Sequence, residues 1–309
     1  MSWHDCTEAE CRFTAADIDP IETVIVPRSH DIGGFEVRRA LPSRQKRMVG
    51  PFVFFDQMGP SEFLLGNGLD VRPHPHIGLA TVTYLFRGEI VHKDSLGTDL
   101  PIRPGAVNWM TAGRGIAHSE RTGPEERARG AALFGIQAWV ALPRTSEETD
   151  PAFWHHAATD MPVVEDHGVR AQVIAGGAFG HRSPVPTHTD MVYVDLHLQP
   201  NARVPIDASH VERALYVAEG EVEIAGIAHP AGELLVFRPG DALTVTALRE
   251  TRAMLLGGEP MDGPRYIWWN FVSSSKERIE HAKRDWLGGR FDAVPGEVEF
   301  IPLPDTPGP

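Results

Sequence analysis

Apolar positions in this chain fall mostly into short runs of β-formers, separated by turns that contain Gly or Pro. VGPFVFFDQMGP (49–60) reads as a strand bounded by Gly-Pro at both ends. LATVTYLF (79–86) concentrates Val, Thr, Tyr and Phe, the residues that fit a pleated, half-buried surface. A turn at RGE leads to IVHKDS, a second at LGTDLP to the strand AVNWM, and AALFGIQAWVAL (131–142) reads as a long buried strand. The polar PRTSEETDPAFWHHAATDMP reads as a linker or an excursion, with the adjacent His155 and His156 in a loop. Strands resume at RAQVIAG, MVYVDLHL, ERALYVAEGEVEIAG, GELLVFRPG and ALTVTAL. Helical character gathers in SSSKERIEHAKRDWLGG (273–289), where Ser275 can cap the first turn, Glu277 follows it and Gly288 can end it. The class is all-β with a short C-terminal helix.

The halves also echo one another. Tyr84-Leu-Phe-Arg-Gly88-Glu-Ile matches Tyr216-Val-Ala-Glu-Gly220-Glu-Val at an offset of 132, and Arg103-Pro104-Gly105-Ala106 matches Arg238-Pro239-Gly240-Asp241 at 135. Two landmarks in one order predict a duplicated β-module, hence two tandem jelly-roll β-barrels. The expected division is an N-terminal domain, 1–145, and a C-terminal domain, 146–309.

Composition narrows the class. Apolar residues make up 42% of the 309 positions and charged ones 23%, ordinary for a chain that buries a core. The net charge of −13 opposes a nucleic-acid surface, which needs clustered Lys and Arg. One basic run, RRALPSRQKR (38–47), is a local exception and reads as a solvated loop or strand edge. The opening MSWHDCTEAE has neither a basic n-region nor an apolar h-region, and no stretch reaches the roughly 20 apolar residues of a membrane span. Cys6 and Cys11 are too few for a disulfide framework. These features predict a soluble, cytoplasmic protein.

The chemistry concentrates in PHPHIGLATVTYLFRGEIVH (73–92). Side chains alternate along a strand, so His74 and His76 project the same way and can share one ion. Pro75 between them lacks an N–H, which suits a strand start or an edge. In AGRGIAHSE, His118 and Glu120 repeat the i, i+2 spacing. Two such pairs on neighbouring antiparallel strands place three imidazoles and one carboxylate around a point. That donor set suits Fe, Ni, Cu, Mn or Zn, and ligand type alone does not choose among them. At the same offsets the second module carries Ile206, Ala208, Ala253 and Leu255, none of which coordinates. One barrel is expected to hold the site, the other to serve as scaffold. His210 reads as structural; His181, His188 and His197 stand alone. No G-x-S-x-G, P-loop or G-x-G-x-x-G motif occurs.

RPHPHIGLATVTYLFRGEIVHKDSLG and IRPGAVNWMTAGRGIAHSE, with Arg38-Arg39-Ala40-Leu41-Pro42 and Arg47-Met48-Val49-Gly50-Pro51-Phe52 upstream, closely resemble the pirin family of the cupin superfamily. The resemblance runs from about residue 20 to 290. It implies a bicupin with one metal, usually iron, held in the N-terminal barrel by His74, His76, His118 and Glu120. The glutamate that general cupins place shortly after H-x-H is absent, with Gly78, Leu79, Ala80 and Thr81 there, and Glu120 takes its place. The resemblance further implies a quercetin 2,3-dioxygenase that opens a flavonol or a small aromatic enol with O2 and releases CO. Glu120 is then both ligand and general base, and Phe55, Trp109 and Met110 are candidates for the pocket wall. A second implied role is a redox-sensing regulatory protein that binds a transcription factor or enzyme partner, for which the 38–47 run is the one supporting feature. A metal-dependent isomerase or hydrolase is a third, since fold does not fix function.

Overall fold

The computed structural model describes residues 19–31, 35–240 and 242–305; Cys6, Cys11 and Asp241 lie outside them. Two antiparallel sheets form the first barrel. The larger runs Ala152–His156, Val107–Thr111, Leu79–Arg87, Ala132–Ala141, Phe52–Glu62, Glu36–Leu41 and Arg28–Asp31. Opposite it lie Asp70–His76, Ile116–Arg121, Ile90–Asp94 and Asp99–Ile102. The second barrel repeats this order. Ile21–Ile25, Leu234–Phe237, Glu212–Glu219, Thr251–Gly258, Met191–Leu198, Val169–Ala178 and Val163–Asp166 face Arg203–Ile206, Leu243–Ala247, Glu221–Ile224 and Ile227–Pro230. The fold is therefore an all-β bicupin, and the sheet orders match along their main paths, the second barrel adding one short strand, His181–Arg182, beside Val169–Ala178.

The first repeat landmark holds in three dimensions. Tyr84 and Tyr216 sit on corresponding strands, and Gly88 (φ 92°) and Gly220 (φ 84°) each turn the chain in the left-handed region where glycine is at ease. The second landmark requires a correction. Arg103-Pro104-Gly105 precedes the strand Val107–Thr111, whereas Arg238-Pro239-Gly240 follows the corresponding strand Leu234–Phe237. The true counterpart of Gly105 (φ 76°) is Gly232 (φ 92°). A tight turn asks for glycine at many places, so the shared tripeptide marked turn chemistry and not homologous position. The positions matched to the candidate ligands move accordingly.

The large sheets pack back to back. Phe52, Phe55, Tyr84 and Ile136 interleave with Tyr193, Tyr216, Met254 and Leu256 in one buried cluster. Each barrel sends one tyrosine hydroxyl into the other: Tyr84 Oη donates to Asp195 (2.9 Å) and Tyr216 Oη donates to Gln57 (2.8 Å). The acceptors lie on corresponding strands, so the two contacts are related by the duplication. Asp195 also accepts from Nε (3.0 Å) and Nη2 (2.5 Å) of Arg252, whose guanidinium lies 4.0 Å over the Phe86 ring.

The barrels also exchange their ends. Ile21–Ile25 pairs with Leu234–Phe237 and so completes the second barrel's sheet, while Ala152–His156 pairs with Val107–Thr111 of the first. His155 and His156 therefore lie on a strand and not in a loop, with His155 Nδ1 2.6 Å from Asn108 Oδ1. The C-terminal helix Lys276–Leu287 follows an Ser275 cap that accepts from the Arg278 N–H, and Gly289 (φ 63°) supplies the left-handed turn after it. It returns to the first barrel, where Ile279 and Ala282 pack on Ile77 and Phe271. A second helix, Pro124–Arg129, buries no residue, so apolar periodicity gave no sign of it. The basic run 38–47 is partly consumed inside the molecule: Arg39 pairs with Asp56, and Lys46 with Glu212 across the barrels. No helix among the described residues is long and apolar enough to cross a membrane.

The reciprocal tyrosines predict unequal costs. Tyr84→Phe removes a buried hydrogen bond to a carboxylate and is expected to cost about 1.5–3 kcal/mol, against about 0.5–1.5 kcal/mol for Tyr216→Phe and its amide partner. Urea denaturation of the two variants checks the order.

Candidate metal centre

The site is built on two strands of the first barrel's smaller sheet. Asp70–His76 lies at that sheet's edge, where the missing N–H of Pro75 costs no ladder bond. It pairs with Ile116–Arg121 so that His118 stands opposite His74 and Ile116 opposite His76. A bulge between His118 and Glu120 then sets Glu120 against Val71. Strand alternation turns His74, His76, His118 and Glu120 inward, and all four are buried. The exposed edge of Asp70–His76 is covered by the C-terminal segment: Phe271 bridges to Ile77, and the Ile301 N–H donates to the Pro73 carbonyl (2.8 Å).

The donor atoms of His74, His76 and His118 lie within 4.8 Å of one another. Glu120 groups within the same distance with His118 and with His92, a residue of Ile90–Asp94 that sequence reasoning passed over. The predicted quartet is thus joined through His118, and a fifth polar group adjoins it. Glu120 accepts from the Thr83 hydroxyl (2.9 Å), which also lies 2.8 Å from the Gln137 side-chain amide.

Hydrogen-bond polarity fixes the imidazoles. His74 Nδ1 lies 2.9 Å from the Arg72 carbonyl and His76 Nδ1 3.1 Å from the Asn270 carbonyl. A carbonyl only accepts, so both Nδ1 atoms carry the proton and both Nε2 lone pairs face inward. Burial pushes His74 down to about 4, and burial with neighbouring imidazoles pushes His76 and His118 well below the ordinary histidine value. Burial raises Glu120, with His92 and the Thr83 hydrogen bond acting the other way.

These groups open onto a cavity of about 450 Å³. Its apolar walls include Phe54, Met58, Val71, Trp139 and Ile301, and Arg39, Asp56 and Gln137 supply polarity. Phe54 and Trp139 stack with centroids 4.0 Å apart. The expected wall residues lie elsewhere. Phe55 and Trp109 belong to the cluster between the barrels, and Met110 does not line the cavity but shares a core cluster with its wall residues Phe54 and Trp139. The strand Phe52–Glu62 is buried on both faces over its first seven residues, so its composition carries no alternation, and Phe54 rather than Phe55 faces the cavity.

Family comparisons agree with this architecture. Residues 34–140 match the model of the family described as Pirin, and residues 193–292 match the Pirin C-terminal cupin domain. A Caulobacter vibrioides protein named pirin-like is 50% identical over 289 residues, which cover 92% of this chain and 100% of that one. The chain belongs to the pirin family. A Pseudomonas aeruginosa protein whose name gives quercetin 2,3-dioxygenase as a provisional activity is 41% identical over 290 residues, covering 91% of this chain and 90% of that protein. The crystal structure of an Acinetobacter baumannii quercetin 2,3-dioxygenase superposes with a TM-score of 0.86 at 37% identity, covering 92% of this chain and 95% of that one.

Pirin-family membership implies a metal, and the residues here fit one. Nε2 of His76 and Nε2 of His118 stand 3.1 Å apart in a buried site. With the His76 lone pair directed there, a cation that accepts both donors is the natural occupant. The second barrel shows what the same frame looks like without such a need. In its registers Val204 pairs with Val245 and Ile206 with Leu243, as His74 pairs with His118 and His76 with Ile116. Ala247 then stands for Glu120, and Val222, paired to Ala247, stands for His92. The matches to Ala208, Ala253 and Leu255 are thereby corrected, because Ala208 lies past the strand and the other two lie on the counterpart of Ala132–Ala141. The replacements Val204, Ile206, Val222, Val245 and Ala247 are buried aliphatics of one core cluster.

Metal-free protein is expected to lose stability as pH falls. His74 is neutral when folded, with its value near 4, and titrates near 6.5 when unfolded. The unfolded chain therefore binds the extra proton first, and stability drains from about pH 6.5 down to about 4, by on the order of 3 kcal/mol for this residue. Chelator-treated protein melted across that range should show the decline, and His74→Gln should make it shallower.

Proposed function

We propose that this chain is a pirin-type dioxygenase that holds one divalent transition metal, Fe(II) by family, through His74, His76, His118 and Glu120. Its substrates would be O2 and a flavonol such as quercetin, or a related planar aromatic enol, with CO released. The observation that carries the reading is a buried three-imidazole, one-carboxylate donor set opening onto an apolar-walled cavity. A metal bound there would supply Lewis acidity toward an enol oxygen and a redox partner for O2.

The protein's own groups have the remaining tasks. The flat, stacked Phe54–Trp139 pair suits a planar ring system, and Met58, Val71 and Ile301 keep water from it. Glu120 is the carboxylate at the donor cluster and takes the substrate hydroxyl proton. Burial raises its proton affinity, which favours that transfer, and Thr83 holds the carboxylate in place. The homologous proteins bearing the quercetin 2,3-dioxygenase name support the substrate class.

The test is oxygen uptake and CO release with quercetin, on protein whose metal content is measured in the same preparation. Turnover in the Fe(II)-loaded protein is expected, and its absence with any flavonol would favour the regulatory reading. Glu120→Gln at matched metal content should lose about 100-fold or more, the scale of a general base; near-normal turnover would remove that role. Trp139→Leu should raise KM for the flavonol far more than it lowers kcat, because the ring face is lost while the donor set stays.

A further inference from the structure

His74 and His76 are oriented by backbone carbonyls, whereas His118 is oriented by a side chain. Nδ1 of His118 lies 3.4 Å from Nδ1 of His92. On its far side, His92 Nε2 lies 3.0 Å from Asp94 Oδ2. The other Asp94 oxygen, Oδ1, accepts the Leu96 N–H (2.9 Å) and the Thr98 N–H (3.1 Å). Asp94 is therefore an acceptor on both oxygens, and the proton between it and His92 sits on His92 Nε2. With the His92 ring proton committed to Asp94, the pair of facing Nδ1 atoms is completed by His118 donating its Nδ1–H to His92 Nδ1. That assignment leaves the Nε2 lone pair of His118 aimed at His76 and the cavity.

We propose that His92 is a positioning residue, which, anchored by Asp94, fixes the tautomer of His118 and strengthens its Nε2 as a donor to the bound metal. The inference rests on the metal reading above. His92 is held for such a task. It is buried and stacks on Phe153 (centroids 4.6 Å apart, planes at 26°), a residue of Ala152–His156, the strand that the linker adds to the first barrel. Its counterpart Val222 is aliphatic in the barrel whose ligand positions are aliphatic too, so the polar relay and the donor set occur in the same barrel. Coordination of the same ion by His92 fits less well, because its Nδ1 faces His118 Nδ1 while the His76 donor faces His118 Nε2. Outer partners of this kind are worth about 10–100-fold in metal affinity.

Two variants separate hydrogen bonding from packing. His92→Phe keeps a ring against Phe153 and removes the acceptor. His92→Asn gives up the ring and returns an oxygen near the position of Nδ1. Ni(II) affinity is measured by chelator competition, and the exchangeable ring N–H signals of the Co(II)-loaded proteins are recorded by paramagnetic NMR. The expected result is about 10–100-fold weaker binding for His92→Phe with one of the imidazole N–H signals shifted, and recovery to within a few-fold of wild type for His92→Asn. His92→Phe with wild-type affinity and unshifted signals would overturn the proposal, as would an Asn variant that folds yet binds no better than Phe. If the Asn variant does not fold, the N–H signals of the Phe variant decide alone, a shift supporting the relay and none overturning it. Wild-type protein that takes up no metal removes both this inference and the reading beneath it. Failure of flavonol turnover alone leaves the affinity comparison intact.

Discussion

Three imidazoles buried together, with the His76 and His118 donors 3.1 Å apart, set the constraint that the rest of the first barrel answers. Burying one neutral polar group without a partner costs roughly 1–3 kcal/mol, and here several converge on the same small volume. Each is stabilised on its outward side. Arg72 and Asn270 carbonyls take two ring protons, His92 faces the third ring, and Thr83 donates to Glu120. On the inward side the donor atoms converge into clusters that could hold one cation. A barrel interior arranged in this way is stable and specific only as a set, because removing one outer partner frees a ring to turn its lone pair away.

The duplication shows what that arrangement displaces. In the second barrel one continuous apolar cluster fills the interior, whereas the first barrel's interior apolar residues divide into two clusters. The second barrel and the interface between the barrels thus supply apolar burial that the first gives up. Their coupling is direct: each contributes a tyrosine hydrogen bond to the other, and each completes the other's environment through exchanged chain ends.

Much of this was legible in the chain because a strand has a period of two. His74 and His76, then His118 and Glu120, announce a shared face without any tertiary information, and Tyr84–Gly88 against Tyr216–Gly220 announces the repeated frame. What stayed hidden has physical reasons. Phe52–Glu62 is buried on both faces, so parity could not assign Phe54 to the cavity and Phe55 to the interface. His92 is a single histidine whose meaning depends on a strand pairing, Glu120 with His92, that spacing does not reveal. Asn270 acts through its carbonyl from 194 residues away in sequence, a contact that its side-chain identity does nothing to advertise. The Arg-Pro-Gly match misled because turn geometry selects glycine wherever the chain must reverse.

The contribution of the C-terminal segment follows from where the ligand strand lies. Pro75 confines Asp70–His76 to an edge, and an edge strand is the least constrained part of a sheet. A metal site needs its donors held to a fraction of an ångström, which an open edge does not provide. Phe271 and Ile301 close that edge, Asn270 orients His76, and Glu297 anchors Ser119 and Arg121 on the outer face of the partner strand. The helix Lys276–Leu287 stands between these contacts and packs on Ile77, one residue beyond His76. The segment that looked in the sequence like an appendage to the second barrel is therefore the outer support of the site in the first. The duplicated fold accounts for the frame, and the unduplicated tail accounts for the covered edge and the oriented His76 where the chemistry is placed.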